Sequence, residues 1–106
     1  MGPEFDAAVR AVLAQVPAGK VVSYGQLAEL AGYARRARHV GHLLARLPED
    51  SRLPWQRVVK SDGAIAPRLS GHQDWQRILL EEEGVPFKAD GRVDMRQARW
   101  RPAAGV

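Results

Sequence analysis

The sequence predicts a mostly α-helical domain with one small β hairpin, laid out like a winged helix-turn-helix. Three observations carry this. Apolar residues recur at three-to-four spacing in four separate segments, a glycine turn at Gly32 separates two of those segments, and short β-branched runs flank an Asp62-Gly63 turn. With 106 residues, of which 45% are hydrophobic and 26% charged, the chain can form one domain around a modest core, and two domains would not fit. No repeat or Gly/Ser linker divides it, so residues 1–106 are read as a single domain.

Residues 4–16 place Phe5, Ala8, Val9, Val12, Leu13 and Val16 on one helical face, and Pro17 and Gly19 end that helix. Ser23 is positioned to cap a short second helix over 24–31, with Leu27, Ala28, Leu30 and Ala31 as its apolar face and Gly32 as its stop. A third helix over 35–47 turns Val40, Leu43, Leu44 and Leu47 inward and Arg35, Arg38, His39, His42 and Arg46 outward, and Pro48 closes it. The second and third helices form a helix-turn-helix candidate, although any two packed amphipathic helices share that outline. Beyond Pro54, Arg57 to Lys60 and Ala64-Ile65 read as a hairpin turning at Asp62-Gly63, which would be the wing. A last helix over 71–83 is expected to bury Trp75, Ile78 and Leu79 and to stop at Gly84, after which 85–87 and 91–93 pair weakly. Residues 96–106 are expected to form a basic, partly mobile tail.

The net charge of +4 is unevenly placed. Residues 35–68 hold Arg35, Arg36, Arg38, Arg46, Arg52, Arg57, Lys60 and Arg68 against Glu49, Asp50 and Asp62, so this third carries +5 and the rest −1. Such a segment either binds a polyanion, most simply nucleic acid, or is a solvated basic face. The chain has no cysteine, which excludes a disulfide framework, a thiolate metal site and a cysteine nucleophile. His39 and His42 form an H-x-x-H pair, but no carboxylate or third histidine accompanies them, so no metal or other cofactor is expected. Glu81 to Glu83 read as a solvated acidic run. The N-terminus lacks a basic n-region and an apolar h-region, and no stretch approaches the roughly 20 apolar residues that span a bilayer. The expectation is a cytoplasmic monomer with no membrane contact.

Five segments match one pattern: Val16-Pro-Ala-Gly-Lys-Val-Val-Ser-Tyr24-Gly-Gln-Leu-Ala, Ala37-Arg38-His-Val-Gly41, Pro54-Trp-Gln-Arg-Val-Val59, Ser61-Asp-Gly-Ala-Ile65 and Leu80-Glu-Glu-Glu-Gly-Val85. In order and spacing they resemble the DNA-binding domain of the O6-alkylguanine-DNA alkyltransferases, and most closely the alkyltransferase-like proteins. The resemblance implies a winged helix-turn-helix-like domain of the alkyltransferase type. It implies recognition of O6-alkylguanine in double-stranded DNA by flipping the damaged base into a pocket, without alkyl transfer. It also implies a hand-over to nucleotide excision repair proteins, the expected protein partners. Flipping costs a few kcal/mol of unstacking and unpairing, and less for a base that already pairs poorly.

The resemblance also assigns residues. Arg38 falls at the family's finger, which enters the minor groove and fills the space of the flipped nucleotide; its long stem and five-donor guanidinium suit that task. Ser23, Tyr24, Arg35, Ala37 and Gly41 are assigned to the DNA backbone, with Tyr24 near the 3′ phosphate, although Ser23 could be only a cap. Tyr24, Leu44, Pro54, Trp55 and Arg68 form the lesion pocket. Trp55 stands where the transferases carry the reactive cysteine; without the family it would read as an ordinary core aromatic. Arg68 falls at the mouth of the pocket, where a cation-π contact with the base would contribute about 0.5 to 2 kcal/mol.

Two positions depart from the transferase pattern. Gln56 replaces the histidine that relays a proton from the thiol, and glutamine is no general base, so Glu83, the relay's acidic partner, is left a structural role. Arg57 reads as a structural or phosphate-facing cation. Leu47 replaces an asparagine that braces the active-site loop, so bracing must come from elsewhere. Two other classes of function stay open on the residues alone: a sequence-specific helix-turn-helix regulator, and a cysteine-independent repair enzyme.

Overall fold

A computed structural model describes residues 2–48, 50–67 and 72–102. Its elements in chain order are α1 (Pro3–Leu13), β1 (Val22–Ser23), α2 (Tyr24–Leu30), α3 (Ala37–Ala45), a 3₁₀ turn (Trp55–Arg57), β2 (Val58–Val59), α4 (His72–Glu82) and α5 (Met95–Ala98). α1 opens on Pro3, carries Glu4 and Asp6 in its first turn and Arg10 in its last, and so agrees with the helix dipole at both ends. It buries Phe5, Val9 and Leu13 and ends a turn earlier than expected, Val16 reaching the core from the turn that follows.

Ser23 caps α2 as expected, its Oγ accepting the Gln26 amide at 3.0 Å. Gly32 ends the helix at φ +92°, a conformation glycine adopts without a steric penalty. α2 buries Leu27 and Ala28, but Leu30 lies exposed where the helix runs past the core. α3 starts two residues later than predicted because Arg35 takes a left-handed turn conformation, φ 67°. Val40, Leu43 and Leu44 are buried, and α3 packs on α2 as α2 packs on α1.

The sheet is not the predicted hairpin. β1 and β2 pair in parallel, Val22 opposite Val58 and Ser23 opposite Val59. Val58 and Val59 are both fully buried. A strand covered on both faces suits this central pairing, whereas a hairpin wing would leave one face in water. The Asp62-Gly63 turn does form, with the Lys60 amide donating to Ala64 and the Gly63 amide to Lys60. The chain then leaves the expected pairing, and the Val93 amide donates to the Gly63 carbonyl instead. Gly63 sits at φ +89° directly beneath Val93, whose carbonyl oxygen a Cβ would overlap.

The short sheet divides two cores. Val22 and Val58 face the first, built on Phe5, Val9, Leu13, Leu27, Val40, Leu43 and Leu44. Val21 and Val59 face the second, with Leu80, Val85, Val93 and Ala98, as the two-residue period of extended chain requires. α4 is rotated from its predicted setting: Gln76 and Leu80 are buried, while Trp75 and Ile78 are 50% and 44% exposed. Trp75 is therefore not a core residue. Phe87 pairs with Val93 antiparallel, as expected, but the tail through Trp100 is fastened rather than loose. Asp94 caps α5, Ala98 is buried, and the Val21 amide donates to Ala98 while the Trp100 amide donates to Val21. No described helix is long and apolar enough to cross a membrane.

Candidate nucleic-acid interface

The start of α3 concentrates positive potential. Arg35, Arg36 and Arg38 are exposed there, the first turn contains no acid, and the N-cap residue Arg36 offers no side-chain cap. The first amides of the helix thus keep their unsatisfied hydrogen-bonding capacity and the positive end of the dipole, an arrangement that suits an oxyanion. The Arg38 guanidinium makes no hydrogen bond or ion pair among the described residues. Ala37 and Gly41 lie one turn apart, and a Cβ built on Gly41 would meet nothing within 4 Å, so a ligand backbone can approach closely. His39 differs from its expected outward setting. It is half-buried with its ring edge-on to Phe5 at 6.1 Å, and its pKa is held below 6.5 chiefly by burial, with nearby positive charges, those of Arg36, His42 and Arg38 among them, adding to the effect.

Tyr24, Leu44 and Trp55 converge on the first core from three elements. Tyr24 opens α2, Leu44 lies in the buried face of α3, and Trp55 opens the 3₁₀ turn behind Pro54. Leu44 is buried, whereas Tyr24 and Trp55 pack against the core while keeping part of their surface accessible. An accessible indole at a core margin offers a ligand a flat apolar face. Arg68 lies outside the described residues. Ser23 is 7% exposed and its Oγ accepts the Gln26 amide, which caps α2.

Behind Trp55 lies a closed polar network. Arg57 donates to Glu83 through Nε at 3.0 Å and Nη2 at 2.8 Å, and through Nη1 to the Val16 carbonyl at 2.7 Å. Gln56 Nε2 donates to Glu83 Oε2 at 2.8 Å. Burial raises the Glu83 pKa, but the hydrogen bonds from Arg57 and Gln56, the Arg57 charge and the Gly19 amide outweigh it and hold the carboxyl below its ordinary value. Arg57 and Glu83 therefore hold each other, and Glu83, with its side chain only 15% exposed, does not belong to the solvated run read for Glu81 to Glu83. Motif reading did not find Gln76. Fully buried on α4, it donates from Nε2 to the carbonyls of Gln56 at 3.0 Å and Val58 at 2.9 Å, so it ties the 3₁₀ turn and the start of β2 to α4. The available signal was Gln76, Leu80 and Glu83 at i, i+4 and i+7.

No group of three His, Cys, Asp or Glu is disposed to hold a metal among the described residues. The chain is similar to known proteins over nearly its whole length. Residues 4–85 match the family described as 6-O-methylguanine DNA methyltransferase, DNA binding domain. A DNA base-flipping protein of Vibrio parahaemolyticus is 44% identical over 100 residues, covering 93% of this chain and 98% of the relative. Alkyltransferase-like protein 1 of Schizosaccharomyces pombe is 33% identical over 104 residues, covering 93% and 96%. A methylated-DNA–protein-cysteine methyltransferase of Rattus norvegicus is 43% identical, but over 71% of this chain and only 36% of that enzyme. The crystal structure of S. pombe Atl1 in complex with damaged DNA containing O6-carboxymethylguanine has a TM-score of 0.86 at 33% identity, covering 96% of this chain and 99% of that one. The chain belongs to the 6-O-methylguanine DNA methyltransferase DNA-binding family, within its alkyltransferase-like branch.

Proposed function

We propose that this protein is a non-enzymatic sensor that binds O6-alkylguanine in double-stranded DNA by base flipping and hands the lesion to nucleotide excision repair. The observation that carries the reading is Trp55. By the sequence resemblance it stands where the transferases carry their nucleophile; it packs at the margin of the core, and Gln56, Arg57 and Glu83 behind it are hydrogen-bonded to one another, with no thiol among them. A carboxylate that accepts several hydrogen bonds and has a lowered pKa is a poor proton acceptor, so Glu83 does not restore the missing chemistry. The damaged DNA in the S. pombe complex and the name of the Vibrio relative both support this ligand and this mode of binding.

In this reading Arg38 enters the stack as the flipped nucleotide leaves, and Ala37, Gly41 and the uncapped amides of α3 let the helix lie against the backbone. Arg35 and Tyr24 hold phosphates beside it. Ser23 sets the start of α2 and through it the position of Tyr24. Tyr24, Leu44, Pro54, Trp55 and Arg68 then receive the base. A 2-aminopurine placed beside O6-methylguanine tests the flipping step. Its fluorescence should rise when wild type binds and stay low with Arg38→Ala; no rise with wild type would contradict the mechanism. For the hand-over, the bound protein should increase incision of the damaged strand by purified excision repair proteins, and unchanged incision would remove that part.

A further inference from the structure

The basic residues of the C-terminal segment lie outside the 35–68 footprint, and the fold holds them in a defined place. Arg99 bridges Val21 in parallel, the Trp100 amide donates to the Val21 carbonyl at 2.8 Å, and Gln26 Nε2 donates to the Trp100 carbonyl at 2.7 Å. Trp100 packs against the first core, so in this extended stretch Arg99 and Arg101 flank an anchored residue. Neither guanidinium makes a hydrogen bond or ion pair among the described residues. Between this segment and α2 runs an open cleft of about 420 Å³, with Ser23, Gln26 and Glu29 on one wall and Arg99, Trp100 and Arg101 on the other.

We infer that Arg99 and Arg101 bind backbone phosphates of the duplex on the flank of the site held by α3, making this cleft a second DNA-backbone site. The inference rests on the proposed DNA binding. α2 precedes the helix that carries the finger, and in such two-helix arrangements the first helix crosses the backbone. The cleft starts at Ser23, beside the Tyr24 phosphate position. Two unpaired guanidiniums on a fastened backbone are a preorganised fork for phosphate, with little ordering left to do on binding. Glu29 lines the same cleft about 9 Å farther along α2 than Ser23 at 1.5 Å per residue, and its single negative charge is outweighed by those of Arg99 and Arg101.

The test is the salt dependence of binding to an undamaged duplex by the full chain, with Arg99→Ala/Arg101→Ala and Arg99→Lys/Arg101→Lys as variants. Each phosphate contact contributes about 0.9 to the slope of log K against log salt, so the alanine pair should lower the slope by about 1 to 2 and the lysine pair should keep it. The alanine pair should weaken lesion and control duplexes equally. Trimming the duplex on that flank should reduce the wild-type slope and leave the alanine pair unaffected. An unchanged slope in the alanine pair overturns the inference, as does a wild-type slope that ignores trimming, a measurement that survives even if the variant folds poorly. Failure of lesion preference in wild type would instead sink the sensor reading, because the slope on undamaged DNA does not depend on it.

Discussion

In the proposed reading, Trp55 and Arg38 divide the work of lesion recognition between a surface that receives and a cation that replaces. An indole cannot accept an alkyl group at a useful rate, and its neighbours give a substituted thiol no help: Gln56 is bonded to Glu83, and Glu83 is held as a carboxylate by Arg57. Trp55→Cys alone should therefore show no stoichiometric uptake of label from O6-methylguanine DNA; rapid uptake would mean that the network supports deprotonation after all. Arg38→Ala removes a charged donor to the orphaned base, an interaction of about 1.5 to 3 kcal/mol, so lesion affinity should fall roughly 10- to 150-fold in a binding titration. Affinity for undamaged duplex should fall far less. Both positions were singled out in the sequence because short motifs contain them. Gln76 was not, since a glutamine among charged residues reads as solvent-facing until its partners, the Gln56 and Val58 carbonyls, are known.

At the scale of elements, the 3₁₀ turn that carries Trp55 is held by α4 rather than by α3. Gln76→Leu fills similar space but leaves two carbonyls without their donor, which should cost about 1 to 3 kcal/mol in urea unfolding and reduce lesion preference together with stability. Glu83 gives the same region a pH signature. Its folded pKa lies below the ordinary 4.5, so the network stabilises the protein fully above about that pH, and the stability is lost as pH falls through the lowered value. The unfolding midpoint should drop on acidification below about pH 4.5, and Glu83→Gln should flatten that drop. The helices were legible from periodicity and from Ser23 and Gly32. The sheet was not: pairing Val22 with Val58 in parallel is a long-range choice, and the local pattern around Asp62-Gly63 favoured a hairpin. α4 was misread for a related reason, because Trp75 and Ile78 are apolar yet the buried face is set by Gln76 and Leu80.

The whole molecule is a small frame with two cores sharing one short sheet, and it carries the proposed recognition residues. The C-terminal segment closes the frame through Val21, so truncation before Trp100 should destabilise the first core as well as remove a tail. Charge legibility was partial: the 35–68 excess was visible in the sequence, whereas the fastening of Arg99 and Arg101 depends on Val21 and Gln26, more than 70 residues away. The most direct test is a competition between one duplex carrying O6-methylguanine and its undamaged match, followed by recovery and mass analysis of the damaged strand. The expected result is preferential binding of the lesion duplex in any sequence context, with the methyl group still on the recovered base. Equal affinity for the two duplexes, or a strand recovered without its methyl group, would contradict it.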